Sequence, residues 1–178
     1  SKGICGVLTF WPHPSRFFNP SDPVPMIMPP EVKYAVLGTH QVDYIIEQPF
    51  DKDFSSIEAK DLVAYLKRCL PHLRSIHVGT NWRFGRKRMG DIPMLVKLGR
   101  ESGIHVINVE RVNYDGKPIS STRIRKHLTL GELDEANALL GEIYFATGEV
   151  TRGKQLGSQV GFPTLNLPWS TELKLPYG

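Results

Sequence analysis

The sequence predicts an α/β fold with a parallel sheet, and three features of its 178 residues support this prediction. Strand and helix patterns alternate over residues 1–110, which is typical of a parallel sheet with helices on both faces. The strand patterns are short apolar runs, and the helix patterns are amphipathic segments that begin with capping residues. After Gly141, short alternating segments with recurring glycines and no helical period indicate the start of a β domain.

The first strand is predicted over residues 4–10 and is followed by a proline-rich segment. Half of the 14 prolines lie between Pro12 and Pro30, so we expect a long irregular loop there. Pro30 suits the first position of a helix over residues 31–40, because a backbone N–H is not needed at that position. A short buried strand is then predicted over residues 42–46.

Further along the chain, capping residues and glycines mark the ends of the predicted helices. Ser55 and Glu58 form the pattern of a capping box before a helix that contains Leu62 and Leu66. The remaining predictions are strands over residues 75–79 and 104–109, a helix from Asp91 to a stop at Gly103, a turn over 113–116, a helix from Ser120 or Ser121 through Leu128, and a helix over 133–140 that Gly141 ends.

Composition and charge favour a small anionic ligand. There are 22 Lys and Arg against 18 Asp and Glu, which gives a net charge of +4. This surplus suits phosphate-bearing molecules but is too mild to require nucleic acid, so a nucleic-acid partner is disfavoured. No apolar run reaches the roughly 18 residues that a membrane span needs, so no membrane partner is expected. Cys5 and Cys69 lack metal-site spacing, which favours a cytoplasmic protein without disulfides, and the residues indicate no particular oligomeric state.

Two segments carry residue types that bind phosphorylated ligands. Residues 118–125 (PISSTRIR) place hydroxyls, backbone N–H groups and guanidinium groups at a predicted helix start, an arrangement that holds phosphate. An ordinary helix cap followed by surface arginines is the alternative. Residues 80–88 (TNWRFGRKR) combine two aromatics, an amide and four cations, which could stack a planar ring and meet its phosphate. The alternatives there are a solvated basic loop with an aromatic in the core, which we favour for Trp82, and contact with nucleic acid.

His13 lies between two prolines in the segment TFWPHP, residues 9–14. The rigid backbone favours a structural or ligand-orienting role over general-base chemistry, because no neighbouring carboxylate in the sequence would orient the ring.

The motifs TFWPHP (9–14), GTNWRFG (79–85), ISSTRIR (119–125) and ANALLG (136–141) occur in an order that resembles the FAD synthetase module of prokaryotic bifunctional riboflavin kinase/FAD synthetases. GFPTLN (161–166) is similar to the start of the riboflavin kinase domain of that family. The resemblance implies a Rossmann-like nucleotidyltransferase domain over residues 1–141, followed over residues 142–178 by the first part of a β-barrel riboflavin kinase domain. It implies adenylyl transfer from ATP to FMN, together with phosphorylation of riboflavin to FMN.

The resemblance also implies roles for individual residues. Three residues at the start of the ISSTRIR helix would hold the ATP phosphates, three others would contact the flavin, and two in the kinase part would meet Mg²⁺ and nucleotide phosphate. The ATP residues are Ser121, Thr122 and Arg125; Phe18 and Phe84 flank the isoalloxazine ring with Asn81 beside it; the kinase residues are Thr164 and Asn166.

Alternatives remain open at this stage. Another phosphorylated acceptor could replace FMN, or the chain could be a non-catalytic flavin- or RNA-binding module that uses residues 83–88. The resemblance further implies a nucleotide-contacting motif before residue 1 and a kinase base after residue 178. We therefore expect residues 1–178 alone to catalyse neither reaction detectably, since one lost oxyanion donor costs roughly 2.7–4 kcal/mol.

Overall fold

The computed structural model describes residues 3–151, 166, 167 and 173, and these residues form a mixed α/β structure. The strands are β1 (Gly6–Trp11), β2 (Tyr44–Pro49), β3 (Ser75–Gly79), β4 (His105–Val109), β5 (Asn113–Tyr114) and β6 (Lys117–Pro118). The helices are α1 (Pro14–Phe18), α2 (Pro30–Thr39), α3 (Lys52–Ser56), α4 (Ala59–Cys69), α5 (Ile92–Glu101), α6 (Ser121–Leu130) and α7 (Leu133–Leu140). The chain divides into two compact units: a first unit of Ser1–Leu8, Asp22–Ile46 and Ile119–Gly178, and a second unit of Thr9–Ser21 and Glu47–Pro118.

The strands pair two by two among the described residues. β3 and β4 run parallel with Ser75 opposite His105, which confirms the prediction of parallel strands. β1 pairs with β2, and β5 with β6 in an antiparallel hairpin. The expectation of helices on both sheet faces is wrong for β3, where polar and apolar residues alternate. Ile76 and Val78 pack against the core while the alternate residues are exposed, so only one face is covered.

The core of the second unit lies between α4, α5 and the β3–β4 pair. Both helices are strongly amphipathic, and each turns an apolar stripe inward. α5 packs closely on β4, because a Cβ on Gly99 would lie 2.8 Å from the side chain of Val106. The buried members of this core are Ala59, Leu62, Val63, Leu66, Phe84, Leu95 and Ile104.

The core of the first unit is the helical hairpin of α6 and α7. Each helix ends at a glycine in the left-handed conformation, Gly131 with φ 72° and Gly141 with φ 77°. Glycine adopts that conformation without the steric cost of a Cβ, so both helices stop sharply. The buried residues are Ile124, Leu128, Ala136 and Leu139, and Ile27 packs against them.

Several helix ends confirm the sequence predictions. Pro30 occupies the first turn of α2, and the Asp91 carboxylate caps α5 by accepting from the Met94 amide at 3.0 Å. Ser120 is the cap of α6, which decides between the two serines considered above. α7 ends at Gly141 as predicted.

Three local predictions are wrong. The Ser55–Glu58 capping box does not form, because Ser55 lies inside α3, whose cap is Asp51, and the Glu58 side chain makes no capping hydrogen bond. The proline-rich segment contains a helix, α1, since Pro14 sits at a first-turn position where proline is tolerated. β2 begins at Tyr44 and extends to Pro49, beyond the predicted strand over residues 42–46.

The β domain predicted after Gly141 falls largely outside the described residues, as do Gly153, Gly157 and Gly161. Within the described residues, Thr151 pairs with Asn166 in an antiparallel bridge, and Met26 pairs with Leu173 in a parallel bridge. No helix in the described part of the chain is long and apolar enough to cross a membrane.

Candidate functional site

The start of α6 presents backbone donors and hydroxyls to solvent. The Ser120 hydroxyl accepts from the Arg123 amide at 3.2 Å, which satisfies one first-turn N–H. The amides of Ser121 and Thr122 come earlier in the helix and have no carbonyl four residues back within it to bond. Both residues are exposed, and the positive end of the helix dipole lies beside them. This helix start has the groups that bind a phosphate.

Arg125 lies one turn further along α6 and is half-buried. Its Nε donates to the carbonyl oxygen of Pro25 at 2.6 Å, across 100 residues of sequence. Burial lowers the pKa of the Arg125 guanidinium, and no charged neighbour contributes to the shift. No carboxylate of the described residues forms an ion pair with it. The guanidinium is therefore a partly desolvated positive charge with no counterion among the described residues, and an anionic ligand would supply one.

Phe84, one of the proposed flavin contacts, lies in the core of the second unit with 5% of its surface exposed. Its ring stacks on Trp82 with centroids 4.8 Å apart and planes 19° from parallel. The backbones of Phe84 and Gly90 exchange two hydrogen bonds, and a Cβ on Gly90 would lie 2.6 Å from the Phe84 ring. In this conformation the ring is enclosed by protein, and Trp82 packs against the core as favoured above.

The loop that contains Phe84 packs closely against the beginning of α4. Gly85 has φ 71°, and a Cβ there would lie 2.5 Å from the Cα of Ala59. The Arg86 amide donates to the Ile57 carbonyl at 2.7 Å. The arginines make long, exposed ion pairs: Arg83 with Asp91 at 3.8 Å, and Arg86 with Glu58 at 3.9 Å. These carboxylates reduce the positive charge of the loop, and Asn81 remains exposed at its beginning.

Phe18, the other proposed ring contact, is 66% exposed at the end of α1. It belongs to an aromatic cluster that the sequence analysis missed. Its ring packs edge-on against Phe17 and Phe50, with centroids 5.2 and 5.6 Å away. Phe50 in turn contacts Phe10 at 5.6 Å. The sequence does carry a signal for this cluster. Phe50 directly follows β2 and Phe10 lies near the end of β1, and ligands of α/β proteins bind at the carboxyl ends of strands.

His13 caps α1. Its Nδ1 accepts from the Ser15 amide at 3.2 Å and lies 2.7 Å from the Ser15 hydroxyl. Because Nδ1 accepts, the neutral ring carries its proton on Nε2. These contacts fit the structural or orienting role expected for His13.

Of the two residues assigned to the kinase part, Thr164 lies outside the described residues. The Asn166 carbonyl accepts from the Thr151 amide at 2.8 Å and from its hydroxyl at 3.3 Å. The exposed Asn166 side chain carries an amide oxygen, a ligand type that Mg²⁺ accepts. Over the described ranges, no three His, Cys, Asp or Glu side chains form a group that could hold a metal ion.

Comparison with protein families adds the decisive observation. Residues 1–123 match the family model described as FAD synthetase, which covers well over half of the chain. This chain belongs to the FAD synthetase family. Its residues 140–178 match a second model, described as riboflavin kinase. The FAD synthetase match includes Ser121 and Thr122 at the start of α6, and it ends two residues before Arg125.

Curated relatives of this FAD synthetase family member carry both activities in their names. Bifunctional riboflavin kinase/FMN adenylyltransferases are 31% identical over 97% of the chain in Buchnera aphidicola from Acyrthosiphon pisum, 33% over 91% in Escherichia coli K12, and 33% over 98% in Listeria monocytogenes. The matched regions are 55%, 52% and 56% of those proteins, so the chain spans about half their length.

A solved structure shares the fold. A crystal structure described as a macrolide-efflux protein from Streptococcus pneumoniae superposes with a TM-score of 0.85 at 27% identity. The match covers 97% of this chain and 56% of the other.

Proposed function

We propose that the protein containing this chain transfers the adenylyl group of ATP to FMN, forming FAD, and phosphorylates riboflavin to FMN. The observation that carries the proposal is the start of α6, where exposed Ser121 and Thr122 precede Arg125, a half-buried cation that pairs with no carboxylate of the described residues. These are the groups that a triphosphate needs, and they lie in the ISSTRIR motif. The names of the relatives supply the acceptor and the second activity.

The proposed adenylyl transfer conserves atoms and charge without a general base. The FMN phosphate is mostly dianionic at neutral pH, because its second pKa is about 6. One of its oxygens attacks the α-phosphorus of ATP, the bond from that phosphorus to the bridging oxygen breaks, and pyrophosphate leaves. The α6 amides and the hydroxyls of Ser121 and Thr122 hold phosphate oxygens, while Arg125 neutralises developing charge.

For the flavin, we propose that the exposed ring of Phe18 stacks on the isoalloxazine and that Asn81 donates a hydrogen bond to it. Phe84 is 5% exposed, so its ring can flank the flavin directly only if the residues that cover it move. In this conformation Phe84 packs in the core and stacks on Trp82, the residue after Asn81, and so stabilises the loop that carries Asn81.

For the kinase activity, we propose that residues 142–178 are the first part of a β-barrel domain following a nucleotidyltransferase domain over residues 1–141. Thr164 and Asn166 would hold Mg²⁺ and nucleotide phosphate there. The metal would supply charge neutralisation at the phosphates when bound. A cytoplasmic location is part of the proposal, and the unpaired Cys5 and Cys69 fit a reducing compartment.

The test of the adenylyl site is Arg125→Ala in the complete natural protein, with Lys126→Ala as the matched control. Lys126 is an exposed cation on the same helix. We expect Arg125→Ala to lower FAD formation from FMN, ATP and Mg²⁺, measured by chromatography, and to leave FMN affinity nearly intact. Arg125→Lys should recover only part of the activity, since the planar fork is lost. Equal losses of FAD formation and FMN affinity would contradict the assignment.

The test of the flavin site is Phe18→Ala, followed by titration of flavin fluorescence. We expect FMN affinity to fall by about 1–3 kcal/mol, the typical cost of losing an aromatic partner for a base. An unchanged dissociation constant would remove Phe18 from the site. The alternative of a nucleic-acid-binding module predicts that the protein binds RNA, that this affinity falls steeply with salt, and that FMN does not displace the RNA.

A further inference from the structure

A short segment of the first unit, residues 22–29, is fastened to α6 at two points. The Pro25 carbonyl accepts from Arg125 Nε at 2.6 Å, and Ile27 packs against the core formed by α6 and α7. The donor is a charged guanidinium, and hydrogen bonds from charged donors are stronger than those between neutral groups. We call residues 22–29 the Pro25 segment.

The bond to Pro25 leaves most of the Arg125 guanidinium available. The group has five N–H donors in one rigid plane, and Nε carries only one of them. No acceptor among the described residues bonds to the four donors on the terminal nitrogens. The hydrogen bond at Nε therefore restricts the orientation of the guanidinium plane, and with it the direction in which the terminal nitrogens point.

Proline suits the acceptor position. Its ring fixes φ, so the backbone of Pro23 and Pro25 loses little conformational freedom when the carbonyl is held in place. The backbone carbonyl of Arg125 accepts from the Thr129 hydroxyl, one turn further along α6, at 2.7 Å.

We propose that the Pro25 carbonyl is a positioning group of the nucleotide site: it accepts Nε–H and thereby orients the terminal nitrogens of Arg125 toward the phosphates of ATP. This inference rests on the proposed function for the identity of the anion. The hydrogen bond itself is independent of that function, and the two can be tested separately.

Three substitutions at position 125 separate the donor from the charge. In Arg125→Gln, the amide nitrogen stands the same number of bonds from Cα as Nε, so the bond to Pro25 can form without the charge. In Arg125→Lys, a methylene takes that place and the charge remains. In Arg125→Leu, both are lost.

The readout is the ¹³C-methyl NMR signals of the four methionines within residues 1–178, assigned in the complete natural protein. Met26 and Met28 report on the Pro25 segment, and Met89 and Met94 in the second unit report on folding. We expect Arg125→Gln to leave the Met26 and Met28 signals in place, and Lys and Leu to shift or broaden them while Met89 and Met94 stay unchanged. Unchanged Met26 and Met28 signals in both the Lys and Leu variants would overturn the proposal.

ATP titration of the same samples tests the consequence for binding. We expect ATP affinity to fall in all three variants, and by about tenfold or more in Arg125→Lys even though its charge is kept. ATP binding by Arg125→Lys at the level of the original protein would overturn the positioning role. If the unsubstituted protein does not bind ATP while the methionine pattern holds, the proposed function fails and the structural bond to Pro25 stands.

Discussion

The loop over residues 79–90 and the start of α6 are both predicted from sequence to contact ligand, yet they use their characteristic residues differently. In the loop, Phe84 is enclosed in the core, and Gly85 and Gly90 make room for close packing. At the start of α6, the Ser120 hydroxyl accepts from one backbone amide, that of Arg123, and the two following residues stay exposed. One motif can therefore contain residues that pack within the protein and residues that are exposed to a ligand. The burial and hydrogen bonds of each residue distinguish these two roles.

The largest expected effect separates the two phenylalanines assigned to the flavin. Phe84→Ala should lower the free energy of unfolding by about 3–5 kcal/mol, because it empties a core position. Phe18→Ala should cost less than about 1 kcal/mol, since it loses only edge contacts on the surface. Urea unfolding followed by fluorescence measures both. Equal costs would contradict the contrast between a structural and an exposed ring.

The next effect tests the close packing of the loop. Gly90→Ala places a Cβ against the Phe84 ring and should cost about 1–3 kcal/mol of stability through overpacking. Gly38→Ala is the matched control, because a Cβ there meets nothing within 4 Å. In the helix it should be neutral or stabilising by up to about 1 kcal/mol. A harmless Gly90→Ala in thermal unfolding would show that the Phe84 ring can move aside easily.

A smaller effect is expected at the cap of α6. Ser120→Ala removes the acceptor of the Arg123 amide and should cost about 1 kcal/mol of stability. Ser120→Asp should restore most of it, because a carboxylate also caps a helix and suits its dipole. The comparison is made by chemical unfolding, and a loss that Asp fails to restore would argue against the capping role.

The smallest effect on stability, with the clearest effect on binding, is expected at Ser121 and Thr122. Replacing either by Ala should change stability by less than about 0.5 kcal/mol, because both are exposed. ATP affinity should fall in each case, because a hydroxyl that holds phosphate is lost. Ser120→Ala should change ATP affinity mainly indirectly, because it removes the cap that orders the first turn of α6. Calorimetric titration distinguishes these outcomes. Unchanged ATP affinity in both variants would place the phosphates elsewhere.

The sequence predicts helix ends well where a single residue decides them. Pro30, Asp91 and Gly141 each act through local backbone chemistry, so their positions needed no knowledge of the fold. The capping box at Ser55 failed because Ser55 lies within α3, a separate short helix that Asp51 caps, and the helix with Leu62 and Leu66 begins only at Ala59. Sheet coverage failed for a different reason, since the apolar period of β3 shows a strand but does not show what covers its second face.

The sequence could not predict how deeply each candidate residue is buried. The resemblance assigns Phe18 and Phe84 alike to the flavin, but Phe18 is 66% exposed and Phe84 is 5% exposed. That difference comes from Gly90 and Trp82, which enclose one ring, and from Phe17 and Phe50, which support the other. The bond from Arg125 to Pro25 joins residues 100 positions apart and has no local signal.

The bridge between Met26 and Leu173 bears on whether the two regions matched by family models can be separated. Met26 lies in the part that matches FAD synthetase, and Leu173 lies in the part that matches riboflavin kinase. Separating the chain between residues 123 and 140, where the two family matches leave a gap, would deprive Met26 of its backbone partner beside Pro25. Exchanging the region after residue 140 among relatives would therefore replace the residue that pairs with Met26, next to the Pro25 carbonyl that accepts from Arg125. The outcome of such an exchange would depend on the residue that takes the place of Leu173.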